Sequence, residues 1–405
     1  MTKISTWPIR RARFAFIRRD IRGVEAPLAS ATKDGVFLRT ELEFSVWNPG
    51  SDISNYKLVE SDDFVIGLRS FQHGISHSTV KGIVSPAYTV LRAAPEIDPH
   101  YYKYYFRSSF LISQLANITQ GIRQGQAIDI DAFRNLDIPV PPLHEQRRIA
   151  DFLDAETARI DTLVRRRVQM RGLLTLKRER SIEDELGIAD GTAPLVPLKY
   201  LATEITVGIV ITPAKWYVEA GGTPALRGIN VKPAQISLEN LVEISKEGER
   251  ENQKSRLEAG DVVVVRTGQA GAAAVVPREL DGANCIDLIL IRPGPDLSPR
   301  FVEYVLNSDY ARERVAEHAV GSIQAHFNVG AMKEIPFPAI SRTKQDQVVA
   351  TLDEQIGRID NLLARLLQQE TLLAERRQAL ITAAVTGQVD VSTASGRGVA
   401  EGVSP

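Results

Sequence analysis

The sequence is poor in the residues that build covalent or metal-bound scaffolds. Its 405 residues include one cysteine, Cys285, which excludes a disulfide framework and a cysteine-rich zinc site. A lone cysteine is consistent with a reducing cytoplasm, where we expect the protein to reside. The arginine-rich start is followed by only a short apolar run, so we expect no secretory signal. No run of 18 apolar residues is present, so no transmembrane helix is predicted.

An excess of charge of one sign is also lacking. Lys and Arg number 49 and Asp and Glu number 50, which gives a formal net charge of -1 at pH 7. Any binding to DNA must therefore come from a local basic surface or from a complex with other chains. The six histidines are scattered, and Gly74 between His73 and His77 indicates a loop. A structural or DNA-facing role is favoured there over a metal site.

Catalytic motifs are missing as well. No Gly-x4-Gly-Lys-Ser/Thr loop is present, so we do not expect ATP hydrolysis by this chain. The glycine-rich residues 267–271 lack that lysine and the G-x-G-x-x-G spacing, which favours a tight turn. Residues 98–101 (DPHY) superficially resemble the Asp-Pro-Pro-Tyr motif of amino-methyltransferases, but the equivalent residues 298–301 (SPRF) lack the carboxylate. A helix start explains both copies, and no Ser/His/Asp constellation is evident, so these absences point away from an enzyme.

What the sequence does contain is an internal repeat. Residues 133–163 match residues 332–362 at a constant shift of 199. Both copies carry Leu-Asp, four residues, then Arg-Ile-Asp, beginning at Leu153 and at Leu352. Each copy reads as an extended strand punctuated by proline and followed by a long helix. The fold is therefore predicted to consist of two similar halves.

The globular parts of the two halves also repeat. Short apolar runs predict strands at residues 35–46, 64–68, 82–84 and 88–91 in the first half, and at 261–266 and 286–292 in the second. Asp98-Pro99 and Ser298-Pro299 predict two helix starts, the first helix running over residues 98–115. Each half is thus predicted to be an α+β globule followed by a long helix.

Each long helix carries an apolar seam at heptad spacing, which predicts a coiled coil. The residues predicted to pair the helices are Ile149, Leu153, Ile160, Leu163, Met170 and Leu174 in the first and Val348, Leu352, Ile359, Leu362, Leu366, Leu373 and Leu380 in the second. Gly187 and Gly387 suit the two C-terminal ends. Helices with one apolar stripe are not stable alone, and copies separated by a whole domain can pair antiparallel.

With the repeat in view, the chain resembles the DNA specificity subunit of a type I restriction-modification system. The resemblance is carried by residues 138–149 (IPVPPLHEQRRI), Leu153-Asp154 and Ile160-Asp161, and by residues 335–338 (IPFP), Gln345, Leu352-Asp353 and Ile359-Asp360. Residues 260–268 (GDVVVVRTG) are similar to a strand-and-turn stretch of the family's recognition domains. Among the departures, Ser341-Arg342 stands where the first copy has Pro142-Leu143, Lys344 replaces Glu145, and the Gly-Asp pair becomes Asp62-Asp63.

The resemblance implies an α+β fold with two target-recognition domains, residues 1–142 and 188–341. Long spacer helices at 143–187 and 342–387 would follow them and pair as an antiparallel coiled coil, leaving residues 388–405 as a disordered tail. Each domain would read one half of a split, asymmetric DNA sequence. The helices would hold the domains apart and dock two methyltransferase subunits, which restriction subunits join to form the nuclease. S-adenosylmethionine, ATP and magnesium would be bound by those partners, leaving this chain without a cofactor or a catalytic role.

Candidates for base contacts are polar side chains in loops, because base edges are read by hydrogen-bond donors and acceptors. They are Arg69, Ser70, Gln72, His73, Lys81, Arg123 and Gln126 in the first half and Arg227, Asn230, Lys232, Arg266, Thr267, Gln269, Gln324 and His326 in the second. Ordinary loop surface is the alternative for each. Two other functions stay open: a coiled-coil scaffold with two protein-binding domains, and a methyltransferase or nuclease that acts alone.

Overall fold

A computed structural model describes residues 7–44, 46, 53–120, 127–188, 191–319 and 327–392. The chain forms two compact units, one of residues 1–168 with 367–405 and the other of residues 169–366. Each unit contains one globular part, the adjoining half of one long helix and the far half of the other. Within the described ranges, no helix has both the length and the apolar character that crossing a membrane requires.

The first unit is built from short strands and helices followed by a long helix. Its strands are β1 (Ile9–Arg11), β2 (Phe16–Arg19), β3 (Ala29–Ala31), β4 (Val36–Leu38), β5 (Lys57–Val59), β6 (Asp63–Ile66), β7 (Ser76–His77), β8 (Gly82–Val84), β9 (Thr89–Ala93), β10 (Thr119–Gln120), β11 (Ala127–Ile128) and β12 (Asp137–Pro139). Its helices are α1 (Ala12–Ala15), α2 (Ser70–His73), α3 (Pro99–Tyr105), α4 (Ser109–Asn117), α5 (Ile130–Arg134) and α6 (Leu143–Glu185). Helix α6 continues into the second unit.

The second unit repeats this plan, again with twelve strands in the described ranges. Its strands are β13 (Leu195–Pro197), β14 (Ala202–Val207), β15 (Tyr217–Val218), β16 (Thr223–Leu226), β17 (Val231–Lys232), β18 (Gln235–Ile236), β19 (Val242–Ile244), β20 (Val262–Val265), β21 (Ala273–Val275), β22 (Asn284–Cys285), β23 (Leu288–Pro293) and β24 (Pro336–Pro338). Its helices are α7 (Lys246–Glu251), α8 (Pro299–Asn307), α9 (Asp309–Ala319), α10 (Val329–Glu334) and α11 (Arg342–Val385).

The central sheets confirm the predicted repeat. The first unit has the antiparallel order β2-β9-β6-β7, and the second has β14-β23-β20-β21, with the corresponding strands in the corresponding places. In each unit a three-residue strand also pairs antiparallel with the strand that precedes a long helix, β1 with β12 and β13 with β24. The second unit adds the sheet β15-β19-β16-β22, for which the first unit has no four-stranded counterpart within the described ranges.

Two predicted elements of the first unit are wrong in their extent. The strand predicted over 35–46 is only Val36–Leu38, followed by a 3-10 turn at Arg39–Glu41. The Glu41 carboxylate accepts a hydrogen bond from the Leu38 amide at 3.3 Å, and such local bonds compete with strand pairing. The helix predicted over 98–115 is two helices, α3 and α4, because Ser108 caps a new helix by accepting from the Leu111 amide at 3.3 Å.

A buried glutamine joins each long helix to its globular part. The Gln146 side chain accepts from the Asp98 amide at 2.7 Å and donates to the carbonyls of Glu96 and Pro141 at 3.1 and 2.8 Å. Gln345 makes the same three bonds in the second unit, to the Ser298 amide and the carbonyls of Asp296 and Ile340. Each amide thereby fixes the N-terminal residue of the packed helix, α3 or α8, against the start of a long helix.

The aspartate of the repeated Leu-Asp pair makes a second attachment between each globular part and its long helix. The Tyr104 hydroxyl donates to Asp154 at 2.5 Å, and the Tyr304 hydroxyl donates to Asp353 at 2.6 Å. A cation one helical turn or less from each tyrosine completes the cluster, Lys103 on Asp154 at 2.6 Å and Arg300 on Asp353 at 2.9 Å. The aspartate of each repeat thus anchors a globular part to its own long helix.

The two long helices pair antiparallel within each unit. Asp161 of α6 lies 3.2 Å from Arg377 of α11 in the first unit, whereas Arg178 of α6 lies 2.9 Å from Asp360 of α11 in the second. As the residue number rises along α6, the residue number of its ion-pair partner on α11 falls, so the helices run in opposite directions. The two ion pairs are also equivalent under the shift of 199, with the helices exchanged. Both helices end as predicted at a glycine with left-handed φ, 64° at Gly187 and 70° at Gly387.

The predicted helix seam divides into buried and exposed residues. The buried members are Ile149, Leu153, Ile160, Val348, Leu352, Ile359, Leu366 and Leu380, and the partly buried members are Leu174 and Leu373. Leu163, Met170 and Leu362 are 37, 48 and 47 % exposed, so the seam is not continuous around them. A straight helix of 3.6 residues per turn drifts from a 3.5-residue repeat, which turns mid-helix positions away from the partner. Val391 is buried in the first unit, and residues 393–405 of the predicted tail lie outside the described residues.

The turn before the central strand accounts for the altered Gly-Asp pair. Gly260 has φ 95° and Asp62 has φ 65°, so both residues occupy the left-handed region. Aspartate tolerates that conformation better than most residues with a side chain, which explains how it replaces glycine here.

On β22 of the second unit, Cys285 is fully buried, and burial raises the pKa of its thiol to about 12.

Candidate nucleic-acid interface

Loops emerge together at one end of the central sheet in the second unit. Leu226 pairs in parallel with Cys285, and Ile209 bridges Ile286 in the same sense. Because parallel segments end at a common edge, the residues that follow them come out side by side. Strand β20 also ends there, since Val265 pairs with Leu288. We name this region, residues 208–212, 227–230, 266–269 and 287, the second reading edge.

An ion pair fixes the conformation of the second reading edge. Arg266 donates to Asp287 at 2.6 Å and, through Nε, to the Phe327 carbonyl at 3.2 Å. Thr267 donates to the other oxygen of the same carboxylate at 3.2 Å. The Arg266 side chain is only 17 % exposed, and its Nε and one Nη are bonded within the protein, so it is poorly placed for bidentate contact with a guanine. Arg266 and Thr267 therefore shape the loop that carries Gln269.

Asn230 and Arg227 have a similar scaffolding role. The Asn230 side chain is 2 % exposed; it accepts from the Arg227 amide at 3.1 Å and donates to the Glu239 carbonyl at 2.9 Å. Arg227 donates from its guanidinium to the Asn240 carbonyl at 3.1 Å. These bonds tie loop 227–230 to loop 237–240. Lys232 is exposed on the neighbouring strand β17.

The groups that the second reading edge offers to solvent include one amide and two isoleucines. Gln269 is exposed, in the tight turn that the sequence predicts at 267–271. Ile211 and Ile229 are 81 and 71 % exposed, although each belongs to a loop held by backbone bonds. An apolar side chain at a DNA interface can contact a thymine methyl group or wedge between bases. The sequence analysis considered only polar residues and therefore missed both isoleucines. The signal that could have revealed Ile229 is its position in a loop, between Gly228 and Asn230.

The first unit has a corresponding edge. Arg19 pairs with Val90, and Thr89 pairs with Ile66, so β2 and β6 end at the same side. We name the residues that follow them, 20–21 and 67–73, the first reading edge. Ser70 is 5 % exposed and its hydroxyl accepts from the Gly67 amide at 2.9 Å, so it closes the turn.

The predicted polar candidates of the first unit are only partly brought together. Arg69, Gln72 and His73 are exposed on the first reading edge. Lys81 is exposed as well, but it lies just beyond Ser78, which bonds the Asp62 amide at the opposite end of β6. Four further candidates, Arg123, Gln126, Gln324 and His326, lie outside the described residues.

A cavity of about 810 Å³ opens beside the first reading edge. It offers cations, carboxylates and aromatic faces, and its lining includes Lys33, Asp34, Phe37, Glu41, Glu43, Phe44, Arg69, His73 and Tyr88. Cations suit phosphates, carboxylates suit the amino group of cytosine, and aromatic rings suit unstacked bases. The surface next to the loop 67–73 can thus recognise several parts of a nucleic acid.

The opposite end of each central strand carries a repeated charge cluster. In the first unit Asp63 is fully buried and accepts from Arg19 at 2.7 Å and from Arg92, and hydrogen bonds from Arg19 and Arg92 lower the pKa of the neighbouring Glu60. Asp261 takes the place of Asp63 in the second unit and accepts from both ends of the Arg292 guanidinium. The sequence analysis did not identify these clusters. These charge clusters fix the ends of the central strands that lie away from the reading edges.

Side chains that could bind a metal are not clustered in the part of the chain described. No group of three or more His, Cys, Asp or Glu residues there is arranged to hold a metal ion. His77, the buried member of the histidine pair, is instead bonded to Asp62 at 3.1 Å. Burial lowers the pKa of His77, which keeps its imidazole neutral at pH 7.

Similarity to known proteins covers both parts of the chain. A family model described as type I restriction modification DNA specificity domain matches residues 53–169. The StySPI specificity subunit of Salmonella potsdam is 26 % identical over 180 residues, which are 42 % of this chain and 37 % of that subunit. The MjaVIII specificity subunit of Methanocaldococcus jannaschii is 20 % identical over 77 % of this chain and 75 % of its own length. The similarity to the first of these relatives thus spans little more than a third of that protein.

Solved structures share the fold. A chain of a type I restriction-modification system, solved to explain complex assembly and conformational transition, superposes with a TM-score of 0.77 at 19 % identity, covering 96 % of this chain and all of that one. The HsdS subunit of Thermoanaerobacter tengcongensis gives a TM-score of 0.58 at 19 % identity, covering 96 % and 98 %. The resemblance inferred from the repeated strand and helix is confirmed: part of the chain matches the type I restriction modification DNA specificity domain, and the chain is similar to type I restriction enzyme specificity subunits.

Proposed function

We propose that this chain selects the DNA sequence for a type I restriction-modification complex, with each unit reading one half of a split, asymmetric site. The observation that carries the proposal is the pair of reading edges, one per unit, each at the same end of the same four-stranded sheet. An edge built from loops on a rigid sheet can vary its side chains without disturbing the fold. Two such edges on one chain provide two separate readings.

Within each edge, the buried polar groups would hold the loops and the exposed groups would contact DNA. Gln269 in the second unit and Arg69, Gln72 and His73 in the first supply donors and acceptors for base edges. Ile211 and Ile229 would add apolar contacts, which favour thymine. The fixed Arg266 would lower the entropy lost on binding, because its loop is already in one conformation.

Partner subunits would supply what the chain itself does not offer. With a net charge of -1, the chain has no general attraction for phosphates, so methyltransferase subunits would neutralise much of the DNA backbone. We propose that two methyltransferase subunits dock on it and that restriction subunits join them. S-adenosylmethionine, ATP and magnesium would then bind to those partners, and this chain would contribute no catalytic residue. The complex would act on DNA in the cytoplasm.

The test is methylation mapping of DNA from cells that carry this chain with its methyltransferase subunit. We expect methylated adenines in one bipartite motif, and no methylation when the chain is deleted. Replacing residues 1–135 with the same part of a relative should change one half of the motif and keep the other. A scaffold would give methylation independent of the chain, and an enzyme that acts alone would methylate or cut DNA without partners; either result would refute the proposal.

A further inference from the structure

An exposed arginine next to the first reading edge is held by an aspartate on that edge. Arg22 donates from Nε to one carboxylate oxygen of Asp20 at 2.7 Å and from Nη2 to the other oxygen at 3.1 Å. The side chains of Arg22 and Asp20 are 43 and 36 % exposed. Arg18 adds a longer contact to the same carboxylate, at 3.7 Å. The hydrogen bond from Arg22 lowers the pKa of the Asp20 carboxyl, so the pair is ionised at pH 7.

The backbone that carries this pair is fixed. Strands β2 and β6 end at the same side of the central sheet, and residues 20–22 come directly after β2. The Leu58 amide donates to the Ile21 carbonyl at 2.8 Å, and Arg22 forms an antiparallel bridge with Lys57. Side chains two residues apart on an extended chain project from the same face. The pair therefore stands on a firm base at the end of the sheet from which the loop 67–73 emerges.

The contact with Asp20 leaves one complete pair of donors of Arg22 available. In a guanidinium, Nε and one hydrogen of Nη2 face one edge, whereas Nη1 and the other hydrogen of Nη2 face the next. Asp20 occupies the first edge, and no other group within the described ranges bonds the second. Arg266 differs, because its bonded nitrogens, Nε and Nη1, belong to different edges and its side chain is far less exposed. Arg22 is thus both held in place and able to make a bidentate contact.

The fold itself does not require this pair. An ion pair between exposed side chains contributes little to stability, because water already solvates both charges and pairing restricts the side chains. Strand register also places Val207 and Ile209 of the second unit at the positions of Asp20 and Arg22. The pair therefore belongs to the first unit alone, unlike the buried glutamines that join both globular parts to the long helices. A residue that reads one half-site is expected to differ between the units in this way.

We propose that Arg22 reads a guanine in the first half-site and that Asp20 is the residue that positions it. The inference rests on the proposed function and deepens it by naming one base of the site. The free Nη1 and Nη2 donors would bond O6 and N7 of the guanine, two adjacent acceptors that no other base presents in the major groove. The carboxylate would fix the plane of the guanidinium before DNA binds, which reduces the side-chain entropy lost on binding.

The test uses the full-length chain assembled with its methyltransferase subunit and DNA that carries the mapped motif. Exchange of residues 1–135 identifies the half-site that the first unit reads. Each guanine of that half-site, on either strand, is then replaced singly with 7-deazaguanine, which lacks the N7 acceptor. One replacement should weaken binding by the wild-type complex about tenfold, through loss of one of two hydrogen bonds. Arg22→Ala should reduce discrimination at that base pair by about 30-fold and make binding insensitive to the replacement.

Asp20→Asn distinguishes a positioning role from that of a surface charge. Loss of a negative charge beside DNA would by itself strengthen binding to every sequence alike. Loss of a positioning residue should instead reduce discrimination at the same guanine by about fivefold. Arg18→Ala is the matched control, since Arg18 makes only the longer contact with the carboxylate, and it should leave that discrimination unchanged. Melting temperatures of all three variants should match the wild type, because the side chains are exposed.

Three results would overturn the inference. The first is equal weakening of all sequences by Arg22→Ala, which would assign Arg22 to a phosphate. The second is a first half-site without a G·C pair. The third is unchanged discrimination in the Asp20→Asn complex, which would remove the positioning role. A wild-type complex that methylates no bipartite motif would refute the proposed function itself.

Discussion

The two units fill the same space with different side chains. At matched positions of the helix that packs on the central sheet, the first unit is aromatic and the second largely aliphatic. The four buried pairs are Tyr101 with Phe301, Tyr102 with Val302, Tyr105 with Val305 and Phe106 with Leu306. Rings of the first set contact one another at centroid distances of 4.9 to 6.5 Å. Apolar volume can evidently be redistributed while the strand order stays the same.

Polar residues with defined partners are the ones that both units retain. Tyr104 and Tyr304 keep their hydroxyl because it donates to an aspartate on the long helix. Gln146 and Gln345 keep three hydrogen bonds each. Hydrogen bonds depend on direction and apolar contacts do not, so a polar attachment has few substitutes. The comparison teaches that the join between domain and helix, and not the core, defines this repeat.

Removing the polar attachment should have the largest effect. Gln345→Leu leaves one amide and two carbonyls buried without a partner, and we expect a loss of about 4 kcal/mol in the stability of the second unit. Hydrogen exchange should show increased opening within residues 169–366. The matched control is Gln347→Leu, because Gln347 is exposed on the same helix and should change stability by less than about 0.5 kcal/mol. Equal effects of the two substitutions would show that the glutamine does not hold the join.

Transferring a core residue between the units should have the next largest effect. Tyr105→Val gives the first unit the residue of the second and leaves a cavity, at a cost of about 3 kcal/mol. Tyr105→Phe is the control, because the Tyr105 hydroxyl is buried without a hydrogen-bond partner in the described structure. Its removal should be neutral or stabilising by up to about 1 kcal/mol. Urea unfolding measures both, and a destabilised phenylalanine variant would reveal a bond that the hydroxyl does make.

Changing one reading edge should affect one half-site. Gln269→Ala should weaken discrimination at one base pair of the second half-site by about 2 kcal/mol and leave the first half-site unchanged. Arg69→Ala should act in the reverse way. Competition binding of the assembled complex to DNA with single substitutions gives the energies, at one fixed salt concentration. If either variant relaxed both half-sites, independent reading by the two units would be refuted.

The smallest effect expected is a pH dependence confined to the first unit. Burial lowers the pKa of His77 below 6.5, against the opposing effect of Asp62 and with His100 and Lys103 nearby. A base with a depressed pKa favours the folded state at high pH, and this stability is lost as the pH falls below 6.5. The loss should grow progressively as the pH falls below 6.5. His77→Gln should remove this dependence, and unchanged pH sensitivity of that variant would assign it to other groups.

The sequence predicts the parts of this fold that rest on local periodicity. The repeat, both long helices with their glycine ends, and strand β20 follow from it. The pairing of β1 with β12 could not be predicted, because each strand has only three residues and the two are far apart in the sequence. The break at Ser108 was hidden because apolar spacing continues across it.

The candidate site was less predictable, since residue type does not reveal which groups a polar side chain hydrogen-bonds to. Ser70, Asn230 and Arg266 were chosen as polar loop residues, and each bonds its own protein. Gln269 and Arg69 look the same in the sequence and lie exposed. Only the hydrogen-bond partners seen in the structure distinguish a residue that shapes a loop from one whose side chain is free to contact DNA. Ile211 escaped a search that was restricted to hydrogen-bonding side chains.

The fully buried Cys285 makes the chain convenient for site-specific labelling. Thiolates are the nucleophiles that attack maleimide reagents, and a thiol with a pKa of about 12 in the core supplies almost no thiolate at neutral pH. Because the sequence has no other cysteine, one introduced at an exposed position would be the only reactive thiol of the folded protein. A fluorophore placed first in one unit and then in the other could report on each unit separately as partners and DNA are added.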